Sequence, residues 1–180
     1  MEKIALPYFG EIELEYFDDE HTPYRYDYAI VELYGDDFRY KGMSMDLDVN
    51  FTDLSETNLA MVTDALDNLD TLVTKAEQLV EKDFNTGNTV KDYIQEWVDY
   101  HLKEEPFKGL VPEPFDESTP KLLLGKLKIV RIGFYALAES EAFIVMDFAF
   151  AYDIDSGYRD TMVVLKLDPS YKLITITTEG

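Results

Sequence analysis

Between residues 59 and 80, apolar side chains recur at spacings of three and four: Leu59, Val62, Leu66, Leu69, Val73, Ala76 and Val80. That is one stripe along a helix. On both sides of this stretch, apolar residues alternate with polar ones, the period of a half-buried strand. A chain that changes from period two to period three-to-four and back is of the α+β class. The expected order is strands over residues 1–50, two or three helices over 55–104, a proline-rich loop over 105–120, and a four-stranded antiparallel meander over 121–178.

The first block alternates strictly at Glu11, Ile12, Glu13, Leu14, Glu15 and Tyr16, which gives a strand with an anionic outer face. Tyr24, Tyr26, Tyr28 and Ile30 form a second alternating face, and tyrosine suits both a packed strand and a binding surface. Gly35, Asp36 and Asp37 signal a turn. Met43, Met45, Leu47 and Val49 then alternate with Ser44, Asp46, Asp48 and Asn50.

In the helical block Ser55 is the expected N-cap. The stripe is one long helix or two that break near Asn68. Gly87 is the expected C′ residue. Thr89 starts a further helix, with Asp92 at the capping-box position and Val90, Tyr93, Ile94, Trp97, Val98 and Leu102 on its apolar face. Pro106, Pro112, Pro114 and Pro120 keep the next stretch out of regular structure, while Phe107, Leu110, Val111 and Phe115 can pack it down.

The meander strands are expected near 126–137, 142–153, 158–167 and 171–178. Their turns fall at Glu139-Ser140, Asp155-Ser156-Gly157 and Asp168-Pro169-Ser170. The second strand is apolar on both faces, so it is central and covered on both sides.

With 180 residues the chain fits one domain with a substantial core. A hydrophobic fraction of 46% sets it apart from a disordered acidic segment. Having no cysteine, it has no disulfide, thiolate metal site or cysteine nucleophile. The opening MEKIALPYFGEIE has no long apolar run, and no stretch is long and apolar enough to span a bilayer. A cytoplasmic location is expected.

The charge is uneven. Residues 1–120 hold 29 acids and 9 bases, a net −20, whereas residues 121–180 hold 8 acids and 7 bases, a net −1. Nucleic acids and anionic membranes need the opposite sign. A basic protein is the natural partner. The candidate binding residues are therefore the helix acids Asp64, Asp67 and Asp70 and the strand acids Glu11, Glu13 and Glu15.

Few residues point to chemistry. Asp153, Asp155, Gly157 and Asp160 resemble a calcium loop, but Val164 stands where the bidentate glutamate is required. His21 and His101 lie in no metal-binding or general-base motif. No cofactor or metal is expected, and an enzyme is not the favoured reading. Asp147 is the exception, a carboxylate in mid-strand where an apolar residue is expected. Arg131 on the preceding strand is its candidate partner. A two-residue turn at Glu139-Ser140 puts the two on opposite faces, and a change of register by one residue brings them to the same face.

The opening LPYFGEIELEYF, the acidic β-rich first block and the segment DFNTGNTVKDYIQEWVDYHL resemble the bacterial domain-of-unknown-function family numbered two-thousand-four. The resemblance covers roughly the first 105 residues. It implies a bacterial cytosolic protein and transfers no site residues. Two readings follow from the residues: a non-catalytic domain that binds a basic protein, or a small-ligand or enzymatic domain with a pocket around Asp147.

Overall fold

The computed structural model describes residues 3–13, 16–17, 28–33, 38–52, 56–103, 109–136, 141–150 and 161–180. The fold is α+β. Strands β1 (Lys3–Leu6) and β2 (Gly10–Glu13) form an antiparallel hairpin of their own. They are followed by β3 (Tyr16–Phe17), β4 (Tyr28–Leu33), β5 (Arg39–Tyr40) and β6 (Met43–Thr52). The helices are α1 (Glu56–Asp67), α2 (Leu69–Thr86), α3 (Thr89–Glu96) and α4 (Thr119–Leu124). The chain ends in β7 (Leu127–Ala136), β8 (Ile144–Phe150), β9 (Met162–Leu167) and β10 (Leu173–Glu179).

The second sheet runs in the order β10-β9-β8-β7-β6-β4-β3, with β5 also on β6. The last four strands are thus the expected meander. β6 pairs with β7 in parallel, from Ser44 opposite Arg131 to Val49 opposite Ala136. A parallel pair needs a long crossover, which the helical block supplies. None of the described helices is long and apolar enough to cross a membrane.

The chain divides into two compact units. One is formed by Met1–Leu72, Arg131–Val145 and Lys166–Ile174, the other by Val73–Val130, Met146–Leu165 and Thr175–Gly180. The core of the first includes Met45, Leu47, Leu66 and Phe134, all fully buried. The second buries an aromatic cluster in which Trp97 meets the edge of Phe150 at 4.5 Å and Tyr93 stacks on Phe150 at 6.0 Å.

Several local expectations are refined. The helical stripe does break at Asn68, whose backbone N–H and side-chain amide both donate to the Asp64 carbonyl, at 3.1 and 2.8 Å. Gly87 ends α2 without a left-handed backbone. Its place needs glycine for space: a Cβ there would lie 2.1 Å from Asp83 Oδ2. The Asp83 carboxylate accepts from the Val90 N–H at 2.7 Å and caps α3 from a preceding helix. Asn88 makes no side-chain cap bond, so the capping-box reading of Thr89 and Asp92 does not describe this helix start. α3 continues into a π-helical turn, Trp97–His101, closed by the Leu102 N–H on the Trp97 carbonyl.

The proline-rich stretch packs down through Leu110 and Val111, and Pro120 opens α4. In the β7–β8 hairpin the Tyr135 N–H donates to the Phe143 carbonyl at 2.8 Å, one residue out of the register of a two-residue turn. The Asp168-Pro169-Ser170 turn is as expected. Asp168 Oδ1 accepts from the Ser170 and Lys172 N–H groups, both at 2.8 Å. Ser55, His21, Tyr24, Tyr26, the turn at Gly35, Asp36 and Asp37, the Glu139-Ser140 turn and the calcium-like Asp153 to Asp160 motif lie outside the described residues.

Candidate binding face

The hairpin β1–β2 places Glu11 and Glu13 on its exposed side, with Ile4, Leu6 and Ile12 buried on the other. Lys3 lies directly opposite Glu13 and reaches both acids, at 2.6 Å to Glu11 and 3.2 Å to Glu13. Its ammonium is held protonated above the ordinary lysine value, first by Glu11 and then by Glu13. The anionic strand face is therefore partly neutralised by its own hairpin. Glu15 lies outside the described residues.

The turn of this hairpin carries Tyr8, which is 50% exposed and has φ of 68°. A left-handed backbone is unusual for so bulky a residue. Its ring meets Tyr40 edge-on, with centroids 5.3 Å apart. Tyr40 in turn donates its hydroxyl to Asp70 at 2.5 Å. The Lys41 ammonium pairs with the same carboxylate. Lys41 and Gly42 both have positive φ, 49° and 90°, and form the two-residue turn between β5 and β6. That turn fixes the direction of the lysine. Asp70 is held below the ordinary carboxylate value, first by Lys41 and then by Tyr40. Tyr40 is pushed up, first by burial and then by Asp70.

Asp64 has a comparable contact. Tyr171, at φ of 60°, donates its hydroxyl to Asp64 Oδ2 at 2.6 Å. Burial, and secondarily Asp64, raise the Tyr171 phenol well above its ordinary value. Asp67, the last residue of α1, is exposed. Two of the three helix acids thus accept hydrogen bonds from neighbouring strands and turns.

The parallel β6–β7 pair holds a second ionic arrangement. Asp46 and Arg131 lie on the face that also carries Ser44, Asp48, Gly133 and Tyr135. Arg131 donates to Asp46 Oδ2 at 2.8 Å and to the Tyr135 hydroxyl at 3.0 Å. The Asp46 side chain is 7% exposed and that of Arg131 35%. Gly133 leaves room for this. A Cβ there would come 2.5 Å from the Tyr135 ring. The sequence reading missed this trio because Asp46 falls on a face that alternation marks as polar. Glycine within a strand was the available signal of a close approach.

Asp147 lies on β8 and is 1% exposed, between Met146 and Phe148, which are also buried. The arginine that the sequence offers as its partner donates to Asp46 and Tyr135. Among the described residues no group of three or more acids and histidines is placed to hold a metal ion. His101 packs its ring against Trp97 at 4.9 Å.

No family model matches the chain, and neither does any curated protein or solved structure.

Proposed function

We propose that the chain is a non-catalytic protein-binding domain whose partner is a basic protein, as an immunity-type or other inhibitory partner would be. The observation that carries this reading is the charge: net −20 over residues 1–120 against −1 over residues 121–180. Such a field attracts a cationic surface and speeds encounter, and it disfavours nucleic acid. Glu11, Glu13, Asp64, Asp67 and Asp70 supply exposed acids in the first unit. Tyr8, half exposed on Tyr40, has the amphipathic ring that anchors interfaces. The family resemblance of roughly the first 105 residues adds a bacterial cytoplasm as the setting.

The test is capture from host lysate on the immobilised chain, eluted by a salt gradient and repeated with Tyr8→Ala and Asp67→Lys. A basic protein released at moderate salt, and lost in both variants, supports the reading. If the unsubstituted chain retains nothing at low salt, the reading falls.

A second reading, a small-ligand or enzymatic domain, rests on the burial of Asp147 in β8. Asp147→Asn then abolishes a ligand-induced rise in Tm found in a metabolite screen. A rise that survives the substitution counts against it.

A further inference from the structure

The second unit contains a groove of about 350 Å³. Its floor is apolar: Val80 from α2, Leu127 from β7 and Phe148 from β8, all buried. Its walls are charged. Glu77 and Glu81 stand one turn apart on α2, with Lys121 on α4 and Lys128 on β7. All four are exposed, and among the described residues none of them makes an ion pair.

Two features distinguish this groove from an ordinary solvated surface. Like charges at i and i+4 on a helix repel, so the Glu77–Glu81 wall favours a cation between its carboxylates. Opposite that wall the groove is lined by two lysines, Lys121 from α4 and Lys128 from β7. That wall favours an anion. Between the two walls lies an apolar surface, and the volume is at the lower end of the roughly 300–1,000 Å³ typical of small-molecule sites.

We infer that this groove binds a short apolar zwitterion of dipeptide size. The ammonium sits between Glu77 and Glu81, the carboxylate meets Lys121 and Lys128, and the apolar side chains cover Val80, Leu127 and Phe148. Neither the Tyr8 face nor Asp147 takes part. Asp147 does not line the groove.

The experiment titrates the full chain with leucyl-phenylalanine by calorimetry and by amide chemical shifts. Parallel titrations use its N-acetyl form, which lacks the ammonium, and its C-terminal amide, which lacks the carboxylate. Saturable binding is expected, and either blocking group weakens it about tenfold, as loss of one charged contact does. Glu81→Gln weakens the free dipeptide about tenfold and leaves the acetylated form unchanged. Lys128→Gln weakens the free dipeptide and leaves the amide unchanged. The inference is overturned if the dipeptide does not saturate by about 10 mM, weaker than any affinity that a built site of this kind would show. It is equally overturned if each substitution weakens the free and blocked peptides alike, or weakens neither.

Discussion

The two compact units use charge differently. In the first, Lys3 meets Glu11 and Glu13, Lys41 and Tyr40 meet Asp70, Tyr171 meets Asp64, and Arg131 meets Asp46. In the second, Glu77, Glu81, Lys121 and Lys128 line one groove with no ion pair among them. The residue types are the same, so backbone geometry makes the difference. Each donor in the first unit is aimed by a fixed backbone: a strand opposite its partner, a two-residue turn, or a left-handed tyrosine. The glutamates of the second unit project from the exposed face of a helix, where long side chains stay hydrated. Acids of the first kind are braced in place by a neighbouring donor while staying exposed, apart from buried Asp46, and those of the second project, among the described residues, with no ion pair to brace them.

The largest test of this contrast is Arg131→Met. It leaves Asp46 buried with its ion-pair partner removed, and the expected loss is about 3 kcal/mol, toward the lower end for breaking a buried pair because Arg131 is partly exposed. Urea unfolding with an unchanged m-value would measure it. Adding Asp46→Leu to the same chain should restore most of the loss, because the buried carboxylate that faced the arginine is then gone too. A loss below about 1 kcal/mol for Arg131→Met would put this pair on the level of a surface ion pair and remove the distinction drawn between the units.

Next in size is Asp83, an acid of the second unit that caps a helix. Asp83→Ala removes the acceptor for the Val90 N–H and should cost about 1 kcal/mol, the usual worth of a helix cap. Gly87→Ala pushes a Cβ into the same carboxylate, so its cost should shrink once Asp83 is alanine. Additive losses in the double variant would show that the two positions act separately.

How much of this was legible follows from the range of each signal. Periodicity is local, so the helical stripe with its break at Asn68, the strand Met43–Thr52 and the final four strands were readable from residue order. The cap on α3 was not, because its acceptor lies seven residues away in another helix. The parallel β6–β7 pair was not, because its partners are 87 positions apart, as Ser44 and Arg131 are. That pairing brings Asp46 beside Arg131. The triad Asp64, Asp67 and Asp70 looked like a repelling acidic face because spacing shows charge but not Tyr171, Tyr40 and Lys41, which arrive from distant strands and turns.

Asp70 offers a test by pH. Its carboxyl is held below its ordinary value of 3.8, first by Lys41 and then by Tyr40. The folded-state value is thus depressed relative to the unfolded one. Its contribution is fully present above the unfolded value and is lost as pH falls through the folded value. Asp70→Asn should therefore lower Tm slightly at neutral pH and leave it unchanged at the acid end, where the native carboxyl is protonated too. A difference between the two proteins that persists undiminished into acid would mean that the carboxylate charge is not what Lys41 and Tyr40 recognise.

The smallest expected effect has the opposite sign. Glu77→Gln or Glu81→Gln removes one partner of a repelling i, i+4 pair that, among the described residues, makes no ion pair. Stability in the absence of ligand should stay level or rise by about 0.2–0.5 kcal/mol, and the gain should fade as salt screens the repulsion. Guanidinium chloride is unsuitable for this measurement because it is itself a screening salt, so urea melts at two sodium chloride concentrations are the proper comparison. A loss of stability in either variant would mean that these glutamates serve the fold, as the acids of the first unit do, and would leave the groove without the unspent negative wall on which a ligand ammonium depends.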